Sequence, residues 1–174
     1  AHTAILCSER SSLEVMWLLR PYLWRVLAPS DSMHGVLLDV LGMGVMITGE
    51  SGVGKEVVAQ NLYHRSRRKN KPFIKVNCAA LPEGLLESEL YGYERGAFTG
   101  AQRRKRGKFE LAHKGVLLLD EISDMSLPLQ SKLLHVLQNG EFFPLGSEKE
   151  VKTDAWVLAA TNQDLEQNVQ KGLF

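Results

Sequence analysis

Cysteine is scarce in this chain: 2 in 174 residues, Cys7 and Cys78. They fit no metal-ligand spacing, and they read as ordinary thiols of a reducing, cytoplasmic compartment. An excess of one charge is missing too. The 21 Lys and Arg residues against 20 Asp and Glu leave a net charge of +1, so no overall field steers the chain toward nucleic acid or a membrane. Long hydrophobic runs are absent. The most apolar early stretch, Leu13 to Leu27, is broken by Glu14, Arg20, Pro21 and Arg25, which excludes a membrane span and argues against a signal peptide. Repeats and low-complexity segments are lacking. The first residue is Ala1 rather than Met, which reads as a piece of something longer. What remains is a soluble globular balance, 44% apolar and 24% charged, in a length that suits one domain with a proper core.

The pattern along the chain predicts alternating strands and helices. Val45–Thr48 is a short apolar run ending at glycine, hence a buried strand. Gly54 to Arg68 has helical spacing with Val57, Val58, Leu62 and Tyr63 as its apolar stripe. Phe73–Asn77 reads as a second strand, and Pro82 suits the first turn of a helix running to about Tyr91. Gly92 to Gly100 reads as loop, and Val116–Leu119 as a third strand. Pro128–Gln138 is an amphipathic helix with Leu129, Leu133, Leu134 and Leu137 on one side and a stop at Gly140. Trp156–Ala160 is a fourth strand. Such alternation implies an α/β fold, a parallel sheet with helices on both faces.

Three segments carry chemistry. Gly49-Glu50-Ser51-Gly52-Val53-Gly54-Lys55 fits the phosphate-binding loop, after a strand and before a helix. Its glycines let backbone amides converge on phosphate oxygens, the helix N-terminus adds partial positive charge, and Lys55 reaches the terminal phosphates. A glycine-rich turn with a stray lysine is the bland alternative, and the strand, helix and acidic pair around it weigh against that. Glu56 stands where Ser or Thr is usual; its carboxylate can hold Mg²⁺ directly or through water. Asp120 and Glu121 end the third strand, where open α/β sheets bind ligands. There one carboxylate can organise Mg²⁺ and the adjacent one can polarise water. Asn162 closes the fourth strand, which belongs beside the first, and so is a candidate reporter at the γ-phosphate; alone it would read as a turn residue. The third segment, Gly96-Ala97-Phe98-Thr99-Gly100-Ala101, is a glycine-flanked loop with one aromatic.

With Val76-Asn77-Cys78-Ala79-Ala80-Leu81, Leu118-Leu119-Asp120-Glu121-Ile122 and Ala160-Thr161-Asn162, these motifs make Gly49 to Phe174 resemble the AAA+ domain of bacterial enhancer-binding proteins. Those proteins activate sigma-54 RNA polymerase. The resemblance implies a P-loop NTPase (AAA+) fold with ATP and Mg²⁺ as cofactors and ring hexamers with ATP between subunits. It implies that Asn77 restrains the catalytic Glu121, that Phe98 and Thr99 touch sigma-54, and that Ser123 to Leu129 form a second loop moving with the first. Glu56 is normal in that family. The arginine fingers are expected just beyond Phe174 and the lid subdomain later still, so the stretch 49–174 reads as a truncated AAA+ sigma-54 interaction domain with the lid absent and weak ATPase activity. Contact with DNA is expected only through a domain outside this chain.

Residues 1–48 depart from that family and form an atypical lead-in. Met33 to Gly49 resembles the stretch before the P-loop of HPr kinase/phosphorylase, suggesting a strand, a tight turn at Leu41 to Gly44 and then the P-loop strand. A natural hybrid, a divergent lead-in and a chimera all remain open. So do three function classes: a sigma-54 activator ATPase, an HPr-type serine kinase/phosphorylase, and a non-catalytic fragment that binds nucleotide or sigma-54. The basic clusters Arg65–Lys71 and Arg103–Lys108 read more simply as solvated faces than as DNA contacts. His34, His64, His113 and His135 share no metal spacing. Trp17, Tyr22 and Trp24 read as packing residues, and Tyr91 and Tyr93 as anchors of the loop base.

Overall fold

The structure, a computed structural model, describes residues 4–8 and 44–172. The expected strand and turn before Gly44, the aromatics Trp17, Tyr22 and Trp24, and His34 lie outside the described residues. In chain order the strands are β1 (Ala4–Ser8), β2 (Gly44–Thr48), β3 (Phe73–Asn77), β4 (Gly92–Tyr93), β5 (Lys105–Arg106), β6 (Val116–Asp120), β7 (Glu141–Phe142), β8 (Val151–Lys152) and β9 (Trp156–Thr161). The helices are α1 (Lys55–Arg65), α2 (Glu83–Tyr91), α3 (Lys108–Leu111), α4 (Leu127–Asn139) and α5 (Leu165–Gln170).

The main sheet runs β1-β2-β9-β6-β3. β2, β9, β6 and β3 are parallel neighbours, in registers that include Thr48 beside Thr161 and Asn77 beside Asp120. The fourth strand of the sequence reading therefore lies beside the first, as expected. β1 adds an antiparallel edge, with Ala4 opposite Thr48. No pattern in its five residues announces a strand; the pairing is long-range and belongs to the tertiary fold.

β6 explains why the sheet is a middle layer. Val116 and Leu118 pack with Val45, Ile47 and Leu158 and with Ala59 and Leu62 of α1. Leu117 and Leu119 face the other way, toward Leu86 and Leu90 of α2 and Leu129 and Leu133 of α4. Successive strand residues point to opposite faces, so a strand covered on both sides must be apolar at every position.

Two helices turn differently from their sequence stripes. α1 buries Lys55, Ala59 and Leu62, while Val57 is 60% exposed. Anchoring Lys55 at the sheet edge sets the rotation of the helix, and positions four and seven residues on follow it inward. α4 buries Leu129, Leu133 and Val136 and leaves Leu134 54% exposed. It stops at Gly140, as expected, with φ 71°. Pro82 sits one position outside α2, as its N-cap.

Leu118 is 1% exposed and lies between the sheet and α1. Leu118→Ala is expected to cost about 2–5 kcal/mol of stability, read as a lowered urea midpoint with an unchanged m-value.

Candidate functional site

Four parallel strands end at one edge of the sheet, and each delivers a candidate residue there. β2 runs into the loop 49–54. The Gly49 amide donates to the Thr161 carbonyl at 3.2 Å, which ties the loop to the end of β9. Gly54 caps α1 with φ 90°, a left-handed conformation that a Cβ would strain. The Lys55 ammonium is folded over the loop, donating to the Gly49 carbonyl at 2.9 Å and the Glu50 carbonyl at 3.2 Å. It also lies 3.7 Å from Glu121 Oε1.

Glu121 follows β6 with φ 52° and ψ 52°, an uncommon left-handed conformation for a residue with a side chain. Strain of this kind persists only where the surroundings impose it, and it clusters at functional sites. The second oxygen of Glu121 accepts the Asn162 amide at 3.1 Å. Asn162 thus meets Glu121 through its backbone. Asn77 lies beside Asp120 in register, but its side-chain oxygen accepts the Ala79 amide at 2.9 Å, capping the short turn Cys78–Ala80. The four strand ends bring Lys55, Asp120, Glu121, Asn77 and Asn162 to one place.

Lys75 is a member of this site that the sequence reading missed. Its ammonium bonds Glu56 Oε2 at 2.7 Å and lies 3.3 Å from Asp120 Oδ2. The Glu56 hydrogen bond, with help from Asp120, pushes the Lys75 pKa up against the opposing effect of burial. The signal was legible: a lysine between the apolar residues Ile74 and Val76 of a strand, on the same face as Phe73 and so toward α1.

The carboxylates of Glu56 and Asp120 suit a hard divalent cation, and a cationic group already bridges them. Among the described residues no group of three or more His, Cys, Asp or Glu could hold a metal alone. Mg²⁺ ordinarily takes one or two carboxylates together with substrate phosphates and water.

The end of β9 is also wired to the segment after Glu121. Thr161 Oγ1 bonds Ser123 Oγ at 2.9 Å, and Gln163 Nε2 donates to Asp124 at 3.2 Å. Ser126 Oγ then donates to Glu83 Oε1 on α2 at 2.6 Å. α2 leads through β4 into the loop 96–101.

That loop is a compact excursion from the β4–β5 pair. The Gly96 amide donates to the Ala101 carbonyl at 2.8 Å, and the Ala101 amide to the Phe98 carbonyl at 3.0 Å. Phe98 is 45% exposed and packs edge-on to Tyr93, with ring centroids 4.9 Å apart. Thr99 and Gly100 are exposed, Ala97 is half-buried, and Ala101 is buried. At the base, Tyr91 sits between Phe109 and Phe142 at 5.7 and 5.9 Å. Gly92 is required there, since a Cβ would stand 2.4 Å from the Lys105 carbonyl oxygen. Both tyrosines therefore anchor the loop, as expected. The basic run beside it is partnered: Arg104 pairs with Glu94 and Glu110, Arg106 with Glu110, and Lys105 and Lys108 with Glu89.

A family model, the Sigma-54 interaction domain, matches residues 35–174. The chain belongs to that family. It is 57% identical over 130 residues to the regulatory protein AtoC of Escherichia coli (strain K12), covering 75% of this chain and 28% of that protein. It is 56% identical over 130 residues to the Nif-specific regulatory protein of Herbaspirillum seropedicae, covering 75% of this chain and 24% of the relative. This sigma-54 interaction domain thus spans about a quarter of the length of these relatives. Among solved structures, NtrX from Brucella abortus superimposes with a TM-score of 0.70 at 36% identity, over 93% of this chain and 38% of that one. NtrX in complex with ATP matches with a TM-score of 0.68 at 34% identity, over 93% and 36% of the two chains. The fold is accordingly of the AAA+ P-loop type.

The field of the site reaches Cys78, which is buried behind Asn77. Burial, then the Asp120, Asp124 and Glu121 carboxylates, push its thiol up to about 12 from 9.0. The folded chain holds the thiol protonated, so its contribution to stability is complete below pH 9 and is lost as pH rises from there toward 12. Iodoacetamide at pH 8.5 is expected to label Cys78 far more slowly in the folded chain than in urea, measured by the mass of the proteolytic peptide that contains Cys78.

Proposed function

We propose that this domain hydrolyses ATP with Mg²⁺ and delivers the resulting motion to sigma-54 through the loop 96–101. The observation that carries the proposal is the position of Glu121. Its strained backbone holds one carboxylate oxygen toward Lys55 and the other on the Asn162 amide, at the open end of the sheet.

In this reading the loop amides of Gly49, Glu50, Ser51, Gly52, Val53 and Gly54 receive the phosphates. Lys55 leaves its carbonyl partners for the terminal phosphates. Glu56 and Asp120 hold Mg²⁺, which when bound supplies neutralising charge at the phosphate oxygens. Glu121 accepts a proton from the attacking water. Asn77 trades its contact with the Ala79 amide for one with Glu121 in the restrained state. Asn162, whose amide already holds Glu121, reports the change to Thr161, and through Ser123, Asp124 and Ser126 to α2 and the loop. A ligand shifts such an equilibrium only by its differential affinity for the two states. Phe98 and Thr99 are the loop residues that engage sigma-54, with Gly96, Ala97, Gly100 and Ala101 shaping the excursion. Assembly into ring hexamers, a cytoplasmic setting, and DNA contact through a domain outside this chain belong to the same proposal. The match to the Sigma-54 interaction domain and the likeness to NtrX in complex with ATP support the sigma-54 and nucleotide parts of it.

Two substitutions separate the chemistry from its use. Glu121→Gln is expected to keep ATP affinity and lose at least a hundred-fold in turnover, on the order of a general-base contribution. Turnover within two-fold of the parent would remove Glu121 from the role. Thr99→Ala, assayed in the full-length activator, is expected to retain ATPase activity and lose sigma-54 capture on a native gel.

A further inference from the structure

The proposed nucleotide site has two lysines, and they do different things. Lys55 is engaged with two loop carbonyls and Glu121. Lys75 is engaged with Glu56 and Asp120, the two carboxylates assigned to the metal. The P-loop pattern accounts for the first lysine and has no place for the second.

We propose that the Lys75 ammonium is a tethered counter-cation at the metal position, bridging Glu56 and Asp120 while no divalent ion is present and yielding both when one arrives with nucleotide. The proposal rests on the nucleotide-site reading above and adds a residue that sets how tightly the metal is taken. An ammonium is a compact point charge with three donors, able to satisfy two carboxylates at once. The two carboxylates come from different elements, Glu56 from α1 and Asp120 from the end of β6. Without a cation between them, like charges would face each other at the mouth of the site. Lys75 reaches them from β3, which ends the sheet on that side. Its side chain is 37% exposed, so the four-carbon stem can swing into solvent without opening the core.

Displacement is a competition, and that gives the proposal its sign. A lysine that merely supported the site would strengthen metal binding. A lysine that occupies the metal's place weakens it. Removing the charge therefore frees both carboxylates for the divalent ion. Exposed pairs of this kind are individually weak, so two of them together imply an effect of about five- to ten-fold.

The probe is Mn²⁺, titrated into the full chain at saturating ADP and followed by the electron paramagnetic resonance signal of free Mn²⁺. Lys75→Met and Lys75→Gln are compared with the parent and with Lys75→Arg. Both neutral variants are expected to bind Mn²⁺ about five-fold more tightly, while Lys75→Arg stays within two-fold of the parent. Equal or weaker binding by both neutral variants would overturn the proposal. Lys75→Gln retains a polar head if Lys75→Met fails to fold, and thermal unfolding checks each variant. ADP affinity in EDTA distinguishes the two levels of the argument. Unchanged affinity in all variants leaves the nucleotide reading in place whatever Mn²⁺ does, whereas no ADP binding by the parent chain overturns both.

Discussion

The parallel alignment of β2, β9, β6 and β3 is the constraint on which the rest depends. It brings the carboxyl ends of four strands to one edge, and the candidate residues come from those ends. The alignment follows from burial on both faces. Val116 and Leu118 are claimed by the α1 side, Leu117 and Leu119 by the α2 and α4 side. A sheet covered this way cannot slip register by one residue without exchanging the contents of its two cores. The spacing between Lys55 and Glu121 is therefore a consequence of packing several residues away.

Electrostatics at that edge follow one logic. Carboxylates from α1 and β6 converge, and two lysines hold them: Lys55 at Glu121, Lys75 at Glu56 and Asp120. In the proposed function both lysines give up partners as a triphosphate and its metal enter. Three carboxylates against two lysines leave the edge one positive charge short, and binding in that proposal is an exchange of partners. The uncommon backbone of Glu121 belongs to the same arrangement. It places the carboxylate where Lys55 and the Asn162 amide can take one oxygen each.

The route from this edge to the exposed loop is short and made of ordinary contacts. Thr161 touches Ser123, Gln163 touches Asp124, and Ser126 touches Glu83 at the start of α2. α2 ends at Tyr91, locked between Phe109 and Phe142, and the next residue begins the loop hairpin. A rigid helix clamped by aromatic packing at one end and hydrogen-bonded at the other is suited to carry a small shift between discrete arrangements.

Local chemistry made much of this legible. The glycine pattern before Lys55, the apolar run before Asp120 and Glu121, and the stop at Gly140 depend on backbone geometry and burial, which neighbouring residues report. The family resemblance drawn from those motifs is matched by the family to which the chain belongs. Helix rotation was not legible in the same way. Val57 and Leu134 look like core in a one-dimensional stripe, yet they face solvent because the sheet each helix packs on, distant in sequence, sets which side turns inward. β1 was invisible because its partner lies some forty residues away and its own five residues carry no period. Lys75 could be seen in the sequence, but its meeting with Glu56 and Asp120 could not. The sequence by itself determined which chemical groups the chain owns and which segments are strand or helix, since those depend on near neighbours. Only the tertiary structure decided which charges face one another, because that depends on strand order and helix rotation, and both are settled by the packing of residues far apart in the chain.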